Sequence, residues 1–461
     1  MLSRTLRVVL VSFLAILGLS AVPAQAAGPA IRLTKTIGPP TTKTIVQGRG
    51  FGASEGVHLR FDSMPVGTAT TDPTGAFRKT IAVPASALPG AHTVSARGDI
   101  SHLTAQAPFT VRTDWAAFRF DRYRTGSNPY ENVLNPSNVS QLVLDWKTAL
   151  SSFIDCSPTV AGGVVYIADD GGDLYALDAA TGNLLWTAPG AGICPGSPAV
   201  SAGVVYTAGG ATAYALDAAN GTVLWNIALG GDTSSSPILA GGLVYIGAED
   251  SKLYALDAQT GSPVWTRPTG RSIDDSSPSV AGGEVFIGSD DFKLHAFDAA
   301  TGTPLWVATT GNIVRSSPAV AGGLVYIGSE DSNVYALNAV TGTQAWKAPT
   351  GAGVFGSPAV ADGVVYSGAD DGNVYAFDAA TGDPRWTATT GHGIDSSPGV
   401  ANGVVYVTSG DSNVYALDAA TGAVLTKIQT TSLGISSPVV ADGVLYFGTG
   451  NDHQVDAYHL P

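Results

Sequence analysis

The chain has 461 residues with a formal net charge of −14, 13% charged residues, 57 glycines, 27 prolines and two cysteines. A single hydrophobic core rarely extends to this length, so we expect several domains or a repeat architecture. Glycine and proline without a three-residue period exclude collagen, the low charge content excludes a coiled coil, and 44% hydrophobic residues exclude a disordered chain. The acidic balance argues against a nucleic-acid binder, which needs a basic surface.

The first 26 residues have the pattern of a secretory signal peptide. Arg4 and Arg7 give a positive start, residues 8–19 form an apolar run, and residues 24–26 form a small-residue cleavage site. The apolar run is too short to span a bilayer, and no second long apolar run follows. No cysteine lies near the cleavage site to carry a lipid anchor. We therefore expect a secreted or extracytoplasmic protein without a membrane span, and a monomer.

Residues 27–112 are predicted to form a separate β-sandwich module. Alternating runs such as 57–62 and 92–96 are parted by turns rich in glycine and proline, as at 72–75. The module resembles the small Ig-like or IPT modules of exported bacterial proteins. It carries nine Lys/Arg and four Asp/Glu, whereas the rest of the chain carries twelve and thirty-three, apart from the two signal arginines. Because the two parts differ in charge, we interpret them as separate domains.

From residue 157 onward the sequence repeats, and a fixed period of this kind decides the fold. A Ser-Pro pair recurs every 39 to 41 residues, with its serine at Ser157, Ser197, Ser236, Ser277, Ser317, Ser357, Ser397 and Ser437. The unit from 357 to 386 contains three short β-rich runs parted by glycine turns, and a fourth run around Trp386. About forty residues with four short strands is typical of one β-propeller blade.

Counting strands predicts an eight-bladed ring over residues 142–461. The eighth repeat ends at Pro461 before its fourth strand, whereas 142–149 has the pattern of an unattached fourth strand. Pairing that strand with the last repeat closes the ring and removes both free sheet edges. The fourth-strand tryptophans are Trp146, Trp186, Trp225, Trp265, Trp306, Trp346 and Trp386. Thr426 takes this place in the seventh repeat, and 113–141 is left as a connector in an all-β chain.

The segment 176–186, Ala-Leu-Asp-Ala-Ala-Thr-Gly-Asn-Leu-Leu-Trp, resembles the tryptophan-docking repeat of the pyrroloquinoline quinone (PQQ) propellers. The motif recurs with Asp257, Asp298, Asp378 and Asp418, and once with Asn338. The resemblance extends over about 113–461 and implies a propeller whose tryptophans dock one blade on the next. The family includes quinoprotein dehydrogenases and non-enzymatic scaffolds such as the outer-membrane assembly factor BamB, so it implies no single chemistry.

The two cysteines, Cys156 and Cys194, lie just before successive Ser-Pro serines. An exported location favours a disulfide between them. In the family that this chain resembles, alcohol-oxidising members hold PQQ between a tryptophan and a disulfide of adjacent cysteines, beside a calcium ion. This chain has no adjacent cysteines and no Cys-x-x-Cys-His haem motif. We therefore expect no cofactor and assign no catalytic residue or metal ligand, with PQQ and calcium as the alternative.

Departures from the repeat mark a candidate ligand-binding site. Two residues before each Ser-Pro serine, the column reads Asp155, Pro195, Ser234, Asp275, Arg315, Phe355, Asp395 and Ile435. In a meander blade this loop lies on one face of the ring, so we predict that Asp155, Asp275 and Asp395 converge at the channel mouth. Arg315, Phe355 and the nearby His392 complete a pocket for a cation, an amine or a sugar. The alternative is a solvated charged rim.

These observations favour an exported, non-catalytic binding or scaffolding platform. The basic module is expected to meet an acidic partner such as a cell-wall polymer, and an envelope protein is the other partner we expect. Two enzymatic alternatives stay open. One is a divergent PQQ- and calcium-dependent quinoprotein oxidoreductase, and the other is a carbohydrate-active enzyme that uses the channel carboxylates.

Overall fold

A computed structural model describes residues 28–192, 194, 196–431 and 436–461. The predicted signal peptide lies outside the described residues, and so do Pro195 and Ile435 of the channel column. Apart from one short 3-10 helix, Val139–Gln141, the regular elements of the described chain are β-strands. No helix in this part of the chain is long and apolar enough to cross a membrane. The prediction of an all-β chain is confirmed.

The contacts divide the chain into two units, and the division does not follow a single boundary at residue 112. The described part of unit 1 comprises 28–35, 43–81 and 93–108, while Thr36–Thr42, Ala82–His92 and Phe109–Pro461 form unit 2. The segments Thr36–Thr42 and Ala82–His92 of unit 2 lie in sequence within the predicted module 27–112.

The N-terminal strands form two sheets. The first contains Ala30–Leu33, Lys43–Arg49 and Phe77–Ala82 in that order. The second contains Thr104–Val111, Gly90–Gly98, Gly56–Phe61 and Met64–Thr70 as neighbours, and the short strand Ile37–Gly38 pairs with the end of Thr104–Val111. Alternate residues of these strands are buried, as the period of two in a half-buried strand requires.

Within the described residues, unit 2 contains eight sheets with four antiparallel strands each, numbered here by the order of their inner strands in the chain. In sheets 1 to 7 these four strands follow one another as a meander. The innermost strands are Thr159–Ala161, Ala199–Ser201, Ile238–Ala240, Ser279–Ala281, Ala319–Ala321, Ala359–Ala361, Gly399–Ala401 and Val439–Ala441. The second strands are Val164–Ala168, Val204–Gly209, Leu243–Ala248, Glu284–Ser289, Leu324–Ser329, Val364–Gly368, Val404–Ser409 and Val444–Thr449. The third strands are Leu174–Asp178, Thr212–Asp217, Lys252–Asp257, Lys293–Asp298, Asn333–Asn338, Asn373–Asp378, Asn413–Asp418 and Gln454–His459.

The fourth, outermost strands come from two parts of the chain. In sheets 1 to 7 they are Leu184–Ala188, Val223–Ala228, Pro263–Pro268, Pro304–Thr309, Gln344–Pro349, Pro384–Thr389 and Val424–Gln429. In sheet 8 the outer strand is Val143–Ala149, which pairs antiparallel with Gln454–His459. It begins one residue later than the predicted 142, because the Leu142 N–H caps the preceding 3-10 helix. A short extra strand, Ser127–Asn128, pairs in parallel with the inner strand of sheet 7.

The Ser-Pro serines close the inner strands into a cycle. The backbone N–H of Ser157 donates to the hydroxyl of Ser197 at 3.0 Å, and the same bond joins each serine to its counterpart in the next sheet. The last bond runs from the Ser437 N–H back to the Ser157 hydroxyl at 3.1 Å. These hydroxyls therefore bond across sheets, which explains why the pair recurs in every repeat.

Each fourth-strand tryptophan docks on the Asp-Ala-Ala-Thr-Gly turn of the next sheet. The indole N–H donates to a turn carbonyl at 2.9–3.0 Å: Trp146 to Ala179, Trp186 to Ala218, Trp225 to Ala258, Trp265 to Ala299, Trp306 to Ala339, Trp346 to Ala379 and Trp386 to Ala419. Sheet 8 has no such turn, since its third strand ends at His459 and its fourth strand comes from elsewhere in the chain. This accounts for Thr426 in sheet 7, which has no turn to dock on.

Candidate functional site

The connector crosses one end of the central channel. We call residues 113–128 the connector plug, because this segment contacts all eight sheets. Its carbonyls accept hydrogen bonds of 2.7–2.8 Å from inner-strand N–H groups: Ala116 from Val200, Arg122 from Val280, Tyr123 from Val320, Thr125 from Val360 and Gly126 from Val400. Trp115 pairs with Val160 of sheet 1, and Asn128 donates to the Val440 carbonyl of sheet 8.

Two buried arginines anchor the connector plug to Ser-Pro carbonyls. Arg124 donates to Pro278 and Ser236 at 2.6 Å, the latter in sheet 3, and Arg119 donates to Pro358 and Pro398. Burial lowers the pKa of each guanidinium to about 9. Both side chains therefore satisfy backbone carbonyls at the channel floor that would otherwise be buried without a donor.

Above this floor lies a cavity of about 460 Å³. Phe118 of the connector plug and six of the ring serines line its lower part. Its mouth is lined by side chains from the loops before the inner strands: Asp155, Ser234, Asp275, Arg315, Phe355 and Asp395. The structure therefore brings five of the six sequence-selected candidates to one cavity. The sixth, His392, is exposed and does not line this cavity.

The carboxylates of Asp155 and Asp275 are poorly stabilised at the channel mouth. Burial raises the pKa of Asp155 to about 6, with contributions from the charges of Asp170 and Asp275. Burial also raises the pKa of Asp275 to about 6, with a further contribution from Asp274. Solvent reaches Asp275 through the channel, yet the surrounding wall removes much of its hydration. Asp155 Oδ1 is buried and accepts no hydrogen bond within the described chain.

Arg315 is the one cation among the described lining residues. Its guanidinium lies 3.1 Å from Asp274 Oδ2, 3.5 Å from Glu330 Oε1 and 3.9 Å from Asp290 Oδ1. Its positive charge lowers the pKa of Asp275, but burial and the other carboxylates outweigh that effect. Because one arginine is shared among several carboxylates, the channel mouth keeps an excess of negative charge.

Asp395 has a similar environment on the opposite part of the ring. Burial raises the pKa of Asp395, the charge of Asp370 adds to this shift, and His392 opposes it. His392 itself lies outside the residues that line the cavity. Its carbonyl accepts hydrogen bonds from Thr390 and Ser409, which fixes the backbone of this loop.

The cysteines form a disulfide between sheets 1 and 2, as predicted, with Cα atoms 4.9 Å apart. Both residues are buried, at 1% and 7% exposure, so neither sulfur presents a surface to the cavity. Donor atoms of Asp155, Asp170 and Cys194 lie within 4.8 Å of one another. Since the Cys194 sulfur is bonded to Cys156, it offers no thiolate to a metal ion at this cluster.

Sequence reasoning missed Asp370, Phe118 and the two buried arginines. Asp370 lines the cavity from the turn between the second and third strands, where paired acids recur in most repeats. Such a pair suits a hairpin turn, and the second members Asp250 and Asp371 each accept a hydrogen bond, at 2.6 and 2.5 Å, from a tyrosine hydroxyl four residues later. The first members differ from one another, since Asp370 lines the cavity whereas Asp169 is buried and accepts a hydrogen bond from the Tyr175 hydroxyl.

The repeat region matches one protein-family model. This model, described as outer membrane protein assembly factor BamB, matches residues 143–195, 189–312, 268–369, 290–396 and 370–459. The matches together extend over 143–459, which is more than half of the chain. The family match therefore covers all eight sheets of unit 2.

Solved structures of two kinds share the fold. BamB from Moraxella catarrhalis superimposes with a TM-score of 0.60 at 20% identity, over 69% of this chain and 97% of that one. Quinohemoprotein alcohol dehydrogenase from Comamonas testosteroni gives a TM-score of 0.64 at 16% identity, over 75% and 80%. In sequence the same dehydrogenase is 28% identical over 167 residues, which is 35% of this chain and 18% of that protein. These likenesses establish a β-propeller fold.

Proposed function

Since the chain belongs to the family described as outer membrane protein assembly factor BamB, we propose that it is an exported, non-catalytic binding platform. In this proposal the eight sheets are the blades of one propeller, and the N-terminal sandwich is an Ig-like module that serves as a second contact surface. The serine cycle and the connector plug support a rigid ring that holds its loops in fixed positions. The signal-peptide pattern of residues 1–26 supports a location outside the cytoplasm, with an envelope protein or a cell-wall polymer as the expected partner.

The observation that carries the proposal is the charge imbalance at the channel mouth. Burial and neighbouring carboxylates raise the pKa values of Asp155, Asp275 and Asp395, so their negative charges are less stable here than in water. A bound positive charge would stabilise them, so the site suits a metal cation or an organic amine. The Phe355 ring beside these carboxylates offers an apolar wall to the carbon chain of an amine.

Calorimetric titration of calcium and of spermidine into the full chain tests this site. The triple variant Asp155→Asn, Asp275→Asn, Asp395→Asn should lose about tenfold or more in affinity for the cation that binds the native protein. At pH 6 the native protein should release protons on binding, because the bound cation lowers the pKa of the carboxylates.

A matched control removes the same charge elsewhere. The triple variant Asp257→Asn, Asp298→Asn, Asp378→Asn changes three turn residues that do not line the cavity, and its affinity should match that of the native protein. Absence of binding by both cations, or equal losses in the two triple variants, would contradict the channel-mouth site.

The alternative function is that of a PQQ- and calcium-dependent oxidoreductase, which the likeness to the alcohol dehydrogenase favours. The residues at the channel mouth do not fit PQQ, because this cofactor carries three carboxylates and the mouth already holds excess negative charge. The buried, non-adjacent cysteines also offer no sulfur face for a quinone ring. Titration of PQQ with calcium, followed by dye reduction with alcohols and sugars, decides between the two functions. Tight binding with dye reduction would replace the platform with an enzyme.

A further inference from the structure

The four-stranded part of the second N-terminal sheet has one buried face and one polar face. Within Gly56–Phe61, the apolar side chains Val57 and Leu59 are buried, while His58 and Arg60 are exposed. The neighbouring strands add residues to this exposed face, which contains a groove of about 480 Å³. We define the basic face as six polar residues that line this groove: His58, Arg60, Ser95, Arg97, Thr104 and Gln106.

The acidic residues of this module are already engaged within it. Glu55 is buried and accepts hydrogen bonds from Ser101, whose hydroxyl and N–H help to lower the pKa of Glu55 to about 2. Asp72 accepts from its own turn, and Asp62 accepts from a backbone N–H at 2.9 Å. Asp99 is the one acid among the described residues that line the groove, and its Oδ1 lies 2.9 Å from His58 Nε2. The exposed arginine charges are therefore not balanced by the module's own carboxylates.

Arg60 and Arg97 are diagonal neighbours on the basic face. The strand register places Arg60 opposite Ser95 and Arg97 opposite His58, so the two arginines occupy diagonally adjacent positions on the same face of the sheet. Arg60 donates to the Ser63 carbonyl at 3.0 Å, and within the described chain neither arginine forms an ion pair with a carboxylate. Two like charges held side by side repel each other, and a shared anion would remove that repulsion.

We propose that the basic face binds a phosphodiester-linked polyol polymer of the cell envelope. This inference rests on the proposed function as an exported platform and names a ligand for its second contact surface. The non-bridging oxygens of one phosphodiester diverge, so a single group can accept hydrogen bonds from both arginines. The serine, threonine and glutamine side chains of the basic face suit the hydroxyl groups between phosphates. Residues 113–461, with thirty-three acids and twelve bases, would repel the same polymer.

Binding of the full chain to a poly(glycerol phosphate) of defined length tests the proposal. At low salt, the double variant Arg60→Gln, Arg97→Gln should lose about tenfold in affinity. The slope of log affinity against log salt concentration should fall by about 1 to 2, because each phosphate contact contributes about one to that slope. Both substitutions are on an exposed face and keep a long polar side chain, so the fold is retained.

A matched control removes two charges from the other sheet of the module. Arg78→Gln with Lys79→Gln changes exposed residues of Phe77–Ala82 and should lower the affinity by less than about twofold. Equal losses in the two double variants would overturn the basic face as a site and leave only net charge. If hyaluronate binds as tightly as poly(glycerol phosphate), the phosphodiester is not the recognised group. If phosphatidylglycerol vesicles bind more tightly than the polymer, the ligand is a lipid surface and the proposal fails.

The channel-mouth variants separate this inference from the proposed function. The triple variant Asp155→Asn, Asp275→Asn, Asp395→Asn should bind the polymer as the native protein does, because its substitutions lie in unit 2. Loss of polymer binding in the basic-face variant with unchanged cation binding supports both proposals. If the native protein binds a cation and no polymer, the basic-face inference fails while the platform stands.

Discussion

At the scale of single residues, acidic side chains at the channel mouth lower the folding stability at neutral pH. Carboxylates normally face water, where both protonation states are well solvated. Asp155 and Asp275 instead line the channel mouth, where burial and neighbouring carboxylates raise the pKa of each from 3.8 to about 6. A raised carboxyl pKa means that the folded state holds its proton more tightly than the unfolded state does.

The first prediction concerns the pH dependence of stability. Between about pH 4 and about pH 6 the folded chain binds more protons than the unfolded chain, so the free energy of unfolding should fall as pH rises through this window. The double variant Asp155→Asn, Asp275→Asn removes both charges. At pH 7.5 it should be about 2 kcal/mol more stable than the native protein, a figure reduced from the full linkage value because water reaches these carboxylates. Denaturant unfolding measures this gain.

At pH 4 the same double variant should show no gain, since both carboxyl groups are then protonated in the native protein. Asp298→Asn serves as the control, because the Thr301 hydroxyl and N–H donate to this carboxylate and lower its pKa. It should bring no gain at pH 7.5. Asn338 accepts the same hydrogen bonds in the next repeat, so the amide preserves the turn. A gain in the control equal to that of the double variant would contradict the channel-specific effect.

At the scale of the element, the repeated turn is shaped by the indole that docks on it. Gly302 has a φ of +69°, and a Cβ built there would lie 2.6 Å from the Trp265 ring. Gly322 has a φ of +58°, yet a Cβ built there meets nothing within 4 Å. Both positions disfavour a side chain for the same backbone reason, and they differ in the space available.

The second prediction uses this pair of glycines. Gly322→Ala should destabilise the protein by about 1 kcal/mol, which is the backbone penalty alone. Gly302→Ala should cost about 3 kcal/mol or more, because the added methyl group also displaces the docked indole. Thermal and denaturant unfolding of the two variants measure the difference. Equal losses would show that the indole moves aside without penalty and that docking contributes little to the ring.

The elements that could be predicted from sequence are those that repeat. The tryptophans, the Ser-Pro pairs and the closing strand around Trp146 recur at fixed spacing, so the pattern predicts four-stranded sheets without further information. Arg119 and Arg124 could not be predicted in this way, because they bind backbone carbonyls and no residue type marks the partner. His392 was placed too near the site, because proximity in sequence does not say which way a loop residue faces.

At the scale of the whole molecule, the connector plug links every sheet of unit 2 through hydrogen bonds. Arg124 is fully buried and joins sheets 3 and 4 through the Ser236 and Pro278 carbonyls. Methionine replaces the apolar part of the arginine side chain and has no hydrogen-bond donor. Its effect therefore reports chiefly on the loss of the hydrogen bonds.

The third prediction is that Arg124→Met destabilises the protein by about 3 kcal/mol or more, because several buried carbonyls lose their donors. Arg122→Met is the matched control, since the Arg122 side chain donates to Tyr123 in an exposed position while its backbone makes the connector contact. This control should change the stability by less than about 0.5 kcal/mol. A small effect of Arg124→Met would indicate that the ring holds together without its floor.

The connector plug also bears on how this protein can change in evolution. Open arrays of repeats lengthen by duplication, since a new unit needs only its two neighbours. Here the segment 113–128 forms hydrogen bonds with each of the eight sheets. A duplicated unit would have no hydrogen-bond partner in the connector plug, and it would move all later units away from their partners. The connector plug thus limits the number of sheets. We therefore expect related sequences to differ in their loops rather than in the number of repeats.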